Sequence, residues 1–210
     1  MTDALWSVIT TERRRLADEL ESLTDEQWAT PSLCPGWRVR DVVAHLVYPH
    51  EHSKGQIFVA FLKSGFNVDK FGLKTATADA RPNREFPAAL RAIAGSHWEP
   101  PGGYGPVAPL TDIVAHSQDI RRALGTTATF GPEALRPILD FVVTKKATRG
   151  FTKQGRVDGL ALRATDVDWS HGSGAEVSGT GEALTMTILG RTAALGELTG
   201  DGVGVLRSRV

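Results

Sequence analysis

The sequence predicts a mainly α-helical protein with a small α+β module at its C-terminal end, and three observations carry that prediction. Apolar residues recur at three- and four-residue steps in successive segments up to Lys145, the period of a helix with one buried face. After Gly150 the period falls to two, with Leu160 and Leu162 alternating against Ala161 and Arg163, as in a half-buried strand. Pro and Gly gather in the connectors, notably Pro31–Gly36 and residues 99–106, where turns need them.

The first helix is read from Leu5, Ile9, Leu16, Leu20 and Leu23, with Glu12, Arg13, Arg14, Arg15, Asp18 and Glu21 filling the other positions. Thr24-Asp-Glu-Gln27 is a capping box opening a short turn through Trp28. A second helix is expected from about Arg38 past Val47, because Val39, Val42, Val43, Leu46 and Val47 keep the core-facing spacing; Pro49 is expected to kink or interrupt it. Residues 53–80 mix Ile57, Phe58, Phe61 and Leu62 with Gly65, Gly72 and Thr75-Ala-Thr-Ala, and are read as a partly mobile excursion. A third helix covers roughly Glu85 to Ile93. The fourth starts near Leu110 and stops at Gly125, a residue suited to a left-handed C-terminal cap. The fifth spans Pro132 to Lys145, with proline in the first turn where its missing donor costs nothing. Val157 to Trp169 is read as one or two strands, His171–Gly174 as a turn and Glu176–Ser178 as a short strand pairing back; Thr180 caps a helix through Leu189. The expected domains are therefore a helical bundle over residues 1–150 and a mixed α/β module over 151–210.

Lys plus Arg and Asp plus Glu both total 24, a formal charge of zero, so no net field gathers polyanions and nucleic acid is not an expected partner. Arg outnumbers Lys seventeen to seven. The N-terminus has no basic region followed by an apolar run, and no stretch approaches the ~20 apolar residues that span a bilayer. With Cys34 the one cysteine, no internal disulfide forms. A cytoplasmic, non-membrane protein, monomeric or homodimeric, is the expectation.

Asp112 and His116 lie four residues apart on the fourth helix, one turn apart on one face, where they can share a ligand. On spacing alone a solvated surface pair accounts for them as well. His45 lies on the second helix, and three N/O donors from two helices leave a coordination position open, the catalytic rather than the structural pattern for zinc. On helical wheels His45 sits roughly 130° from the centre of its apolar stripe, and Asp112 and His116 roughly 100–140° from theirs. Such residues flank the core and face a groove, or are simply exposed.

Other residues have a functional and a plainer reading. Asp119, one turn beyond His116, can orient a ligand or pair with Arg121 or Arg122. His50 and His52 can extend a metal site, but after Pro49 they are expected to point to solvent. His97 and His171 fall in loops. Cys34 has no activating base near it in sequence and reads as a small apolar residue in a turn. Trp37 and Trp169 read as packing residues. Arg191 can bind a substrate carboxylate or serve as a helix-end cation.

The stretches that include Trp28, Pro31 and Leu33-Cys-Pro-Gly-Trp-Arg-Val-Arg-Asp-Val-Val-Ala-His-Leu46, with Asp112-Ile-Val-Ala-His-Ser-Gln-Asp-Ile120, resemble the two motifs of the mycothiol-dependent maleylpyruvate isomerase family, a branch of the DinB-like metalloproteins. Trp169-Ser-His-Gly-Ser-Gly174, Gly179 and Leu189-Gly-Arg191 are similar to the C-terminal segments of its short members. The resemblance implies a DinB-like four-helix bundle holding a divalent metal, zinc or else nickel, through His45, Asp112 and His116. The carboxylate in that family is more often Glu. Asp112 is a methylene shorter, so its backbone must sit closer to the ion or a water must intervene.

The resemblance further implies mycothiol as cosubstrate and a small electrophile as substrate. Addition of the thiolate without release is S-transfer; addition, rotation and elimination is cis–trans isomerisation. Two readings from other classes stand beside this one: a metal-containing protein that binds a small molecule without turnover, and a structural metal tying helices together in a dimerising module.

Overall fold

The computed structural model describes residues 2–210. They fold as two compact units, residues 2–128 and 129–210.

The first unit is built on four helices, α1 (Thr2–Leu20), α3 (Val39–Glu51), α6 (Phe86–Ala92) and α7 (Val107–Ala123). α1 packs on α6 and α7, and α3 packs on the same two, which closes a four-helix ring. Its core is supplied by the expected stripes: Ile9, Leu16 and Leu20 of α1, Val39, Val42, Val43 and Val47 of α3, Leu90 of α6, and Leu110, Ile113 and Ile120 of α7 are buried. The short α2 (Asp25–Ala29) begins at the expected capping box, with Thr24 Oγ1 accepting from the Gln27 amide and Gln27 Oε1 accepting from the Thr24 amide. α7 ends at Gly125, which takes φ +69° while the Thr126 amide returns to the Arg121 carbonyl.

Two local expectations are corrected. Pro49 does not break α3, which continues to Glu51; it lies in the last turn, where only one ladder bond is lost. Residues 53–80 are not an excursion but a helical hairpin, α4 (Lys54–Lys63) and α5 (Val68–Thr77). Each helix has a side-chain cap: Ser53 and Gln56 form a capping box, and Asn67 Oδ1 accepts from the Lys70 amide. α4 buries none of its residues, so its apolar side chains cannot show a core-facing rhythm.

The second unit opens with α8 (Pro132–Val142), Pro132 in its first turn as expected. It contains the three-stranded sheet β1 (Leu160–Ala164), β2 (Ser170–Gly172) and β3 (Ala175–Gly179), ordered β2-β1-β3, followed by α9 (Gly181–Ile188) and α10 (Val203–Arg207). Leu160, Leu162 and Ala164 alternate inward along β1, the period-two signal made physical. β3 does not pair back on its neighbour in sequence; it adds to the other edge of β1, in parallel, with Leu162 opposite Val177. The chain reaches that edge through Gly174 at φ +127°, where a Cβ would lie 2.1 Å from the Gly159 carbonyl oxygen. Val167 and Trp169 fall outside the strands yet are buried, and the Trp169 indole donates to Asp140 Oδ1 of α8 at 2.9 Å. α8 packs on α9, with Leu135 and Leu139 against Gly181. Those contacts place α8 in the second unit, so the units divide ahead of the change of period near residue 150. No helix among the described residues is long and apolar enough to cross a membrane.

Candidate metal centre

α3 presents His45 and α7 presents Asp112 and His116 to one place on the flank of the bundle. Asp112 Oδ1 lies 3.6 Å from His45 Nε2 and 3.4 Å from His116 Nε2. Donors about 2.0–2.1 Å from one tetrahedral ion stand about 3.3–3.4 Å from each other, so the spacing suits a shared divalent cation. The short arm of Asp112 reaches both imidazoles directly. Side-chain exposures of 23% for His45, 37% for Asp112 and 11% for His116 place the site at the rim of the core, as the wheel offsets suggest. The three form a cluster of ligand atoms all within 4.8 Å of one another.

The electrostatics favour a cation there. Burial pushes the Asp112 carboxyl up, but the charges of His45 and His116 and their hydrogen bonds outweigh it and hold the group well below the usual carboxylate range. Burial pushes the His116 imidazole down, and its contacts with the Cys34 sulfur and with the Asp112 and Asp119 carboxylates outweigh it and hold the imidazole well above its usual range.

Behind His116 is a second layer. Asp119, one turn further along α7 and fully buried, accepts at Oδ2 from His116 Nδ1–H at 2.9 Å. A carboxylate can only accept, so Asp119 keeps the proton on Nδ1, and Nε2 is the nitrogen that donates to Asp112 when the ring is charged and would offer its lone pair to a metal once that proton is lost. The Arg121 guanidinium is held by Glu12 and Glu19. The Cys34 thiol donates to the same Asp119 Oδ2 at 3.0 Å, and its Sγ lies 3.6 Å from His116 Nδ1. The linear sequence hides this partnership, since Cys34 precedes its neighbours by more than eighty residues. The fold makes it, with the Leu33 amide donating to the Asp119 carbonyl at 3.3 Å. Trp37, in the same connector, packs as expected, and what it packs on is the site: its ring is 5.0 Å from His45 and 5.9 Å from His116, stacked on the latter. A Cβ at Gly72 of α5 would lie 3.2 Å from the same indole.

The remaining candidates lie elsewhere. His52 caps α3 and stacks on Tyr48; His97 stacks on Trp6; His171 stands in β2 beside Trp169. Arg191, in the second unit, donates from Nη1 to the Leu189 carbonyl at 3.1 Å, the helix-end contact. His50 corrects its expectation: carried inward by the unbroken α3, it sits 3.3 Å from Arg13 Nη2 and 2.9 Å from Ser96 Oγ. Arg13 in turn donates to the carbonyls of Ile93, Ala94 and Ser96, closing the C-terminal end of α6.

Burial, and then the neighbouring Arg13 charge, lower His50 from 6.5 to about 4. A depressed value means the unfolded chain binds the proton more tightly. The stabilisation is whole above pH 6.5 and is lost as the pH falls toward about 4. Urea unfolding is expected to lose roughly 2 kcal/mol across that window from this group, and His50→Gln is expected to flatten that part of the profile. An unchanged slope in the variant would remove His50 from the account.

Four helices packed as a ring, with three N/O donors gathered on one flank, define a helical-bundle protein with a candidate metal site. The model of the mycothiol maleylpyruvate isomerase N-terminal domain family matches residues 9–129, more than half of the chain, and the chain belongs to that family. A crystal structure of a mycothiol-dependent maleylpyruvate isomerase superposes with a TM-score of 0.58 at 17% identity, covering 94% of this chain and 90% of that one. A histidine-to-alanine mutant of such an isomerase gives 0.55 at 16% identity over the same shares. These two likenesses show the fold. A search of curated proteins found no match.

Proposed function

We propose that the protein is a metal-dependent enzyme in which mycothiol is the cosubstrate and its sulfur attacks an electrophilic small molecule, as an S-transferase or a cis–trans isomerase. The observation that carries this reading is the convergence of His45, Asp112 and His116, three donors with no fourth joining their cluster among the described residues. Three protein ligands suit a catalytic zinc site, where a further position takes the reactant. The 37% exposure of the Asp112 side chain favours such an open site over a sealed structural one. A divalent ion held by these residues supplies positive charge that favours thiolate over thiol at neutral pH.

The chain's own residues do the rest. Asp119 fixes the ring of His116 so that Nε2 faces the ion's place. Cys34 shares the load on Asp119 Oδ2, and Trp37 walls off one side of both imidazoles from water. The thiolate sulfur forms a C–S bond to one carbon of a conjugated double bond, whose π pair shifts away from it; if that pair takes up a proton the adduct persists and the outcome is transfer, and if it returns after rotation about the former double bond it expels the thiolate and the outcome is isomerisation.

Calorimetric titration of zinc-loaded protein with mycothiol tests the reading, with glutathione and bacillithiol alongside. Binding of about one mycothiol per chain is expected, with the other two thiols weaker, and none after zinc removal. Absence of heat with every thiol, in protein shown to hold zinc, would defeat the thiol-dependent function and leave a metal-containing binding protein.

A further inference from the structure

We propose that the outward face of the α4–α5 hairpin docks on an anionic lipid bilayer. Seven large apolar side chains are exposed among the described residues, and six of them, Phe58, Val59, Leu62, Phe66, Val68 and Leu73, lie on this hairpin. Scattered singly, such residues need no explanation; gathered in one place, they mark an interaction surface.

The arrangement on α4 is the reverse of a core-facing helix. Ile57, Ala60 and Phe61 are half-buried on its inner side, while Phe58, Val59 and Leu62 are 57%, 48% and 41% exposed. At 100° per residue these three form one stripe on the side away from the bundle. The stripe runs on to Phe66 at the hairpin tip, 60% exposed and held at φ +58°. Phe66 is the one non-glycine residue with positive φ among the described residues. A bulky side chain rarely takes that backbone conformation, and here it projects an aromatic ring into solvent.

Charge then selects the partner. Lys54 and Lys63 stand at the two ends of α4, Lys70 and Lys74 on α5, with Asp69 the one acid on either helix. They are four of the seven lysines in the chain. Ion pairs elsewhere in the first unit use arginine, as at Arg38, Arg81, Arg91 and Arg121. An apolar ridge flanked by lysines matches an interfacial helix, whose apolar residues enter the acyl boundary while long lysine stems lift their ammonium groups to anionic headgroups. A fluid surface accommodates a convex ridge without a shaped partner. A second copy of this chain is a poor occupant, because the face against itself sets lysines against lysines with one acid per copy to offset them. The formal charge of zero, from which polyanionic partners and a membrane were not expected, averages over this local excess; fields act locally.

Sedimentation of the full chain with vesicles tests the proposal. Strong partition is expected onto vesicles of equal parts phosphatidylglycerol and phosphatidylcholine, and little onto phosphatidylcholine alone. Partition is expected to fall about tenfold or more in Phe58→Ser/Leu62→Ser and in Lys54→Glu/Lys63→Glu, and likewise in about 0.5 M salt. All four positions are exposed, so circular dichroism and melting temperature should match the unchanged protein. Equal sedimentation with both lipid mixtures overturns the proposal, since the charge would then play no part. Sedimentation with neither also overturns it: a doubled mass by light scattering, lost in Phe58→Ser/Leu62→Ser, assigns the face to self-association, and an unchanged mass assigns it to a protein partner.

Discussion

His116→Ala is expected to emerge from zinc reconstitution and desalting with almost no metal, where the unchanged chain retains about one ion. Asp112→Ala is expected to do the same. Both imidazole Nε2 atoms lie within 3.6 Å of Asp112 Oδ1, so removal of the carboxylate takes away both the central donor and the charge that draws a cation. Asp119→Ala is expected to be graded rather than absolute, weakening affinity about 10–100-fold, because the carboxylate acts through the orientation of His116. His116→Ala and Asp112→Ala should keep their helical circular dichroism. Their side chains lie on the flank of the bundle, so truncation opens no cavity among Val42, Val43, Ile113 and Val114, which form the buried stripes of the same two helices. Retention of a full equivalent by His116→Ala, measured by elemental analysis, would sink the site; so would loss of metal accompanied by loss of the fold, which would make the ion structural.

The parts of this fold that were legible in the sequence are those whose physics is local or periodic. α1 and α3 each bury chiefly one face, and α7, buried on nearly every face from Ala108 to Arg121, still spaces Leu110, Ile113, Val114 and Ile120 at helical steps, so apolar spacing reports all three; the Thr24 box reports the start of α2 and Gly125 the end of α7. Spacing alone puts Asp112 and His116 on one face; His45 joins them in the sequence only through the motif resemblance, because its approach is made by the packing of α3 on α7. What escaped has physical reasons. α4 carries its apolar residues on the solvent side, so periodicity misleads there, although Ser53, Gln56 and Asn67 announce both helix starts. The partner of β3 is chosen by the parallel edge of β1, a long-range choice without a local signature. Cys34 looked inert because its base and its carboxylate come from α7, and His50 looked exposed because Pro49 was expected to end the helix that turns it inward.

Arg121→Met is expected to destabilise the protein by about 3–5 kcal/mol in urea unfolding at neutral pH. Arg121 is 1% exposed, and its guanidinium binds Glu19 through Nε at 2.7 Å and Nη2 at 3.0 Å and Glu12 through Nη1 at 2.6 Å. Met restores much of the volume but leaves Glu12, itself 4% exposed, as a buried carboxylate whose remaining cation is the half-exposed Arg15 at 3.9 Å. Even with Arg121 present, burial dominates and holds the Glu12 carboxyl above 4.5. A raised carboxyl favours folding in its protonated form, so the cost of losing Arg121 should shrink as the pH falls and Glu12 takes up a proton, and Glu12→Gln/Arg121→Met should recover part of it. A penalty below about 1 kcal/mol, or one equal at pH 7.5 and pH 5.5, would show that the pair contributes little. The consequence reaches the site because Arg121 is on α7: the face of that helix which carries Asp112, His116 and Asp119 is held in place by the face that locks onto Glu12 and Glu19 of α1. Metal affinity in Arg121→Met, measured under conditions where the variant is folded, is therefore expected to fall although no ligand has been touched.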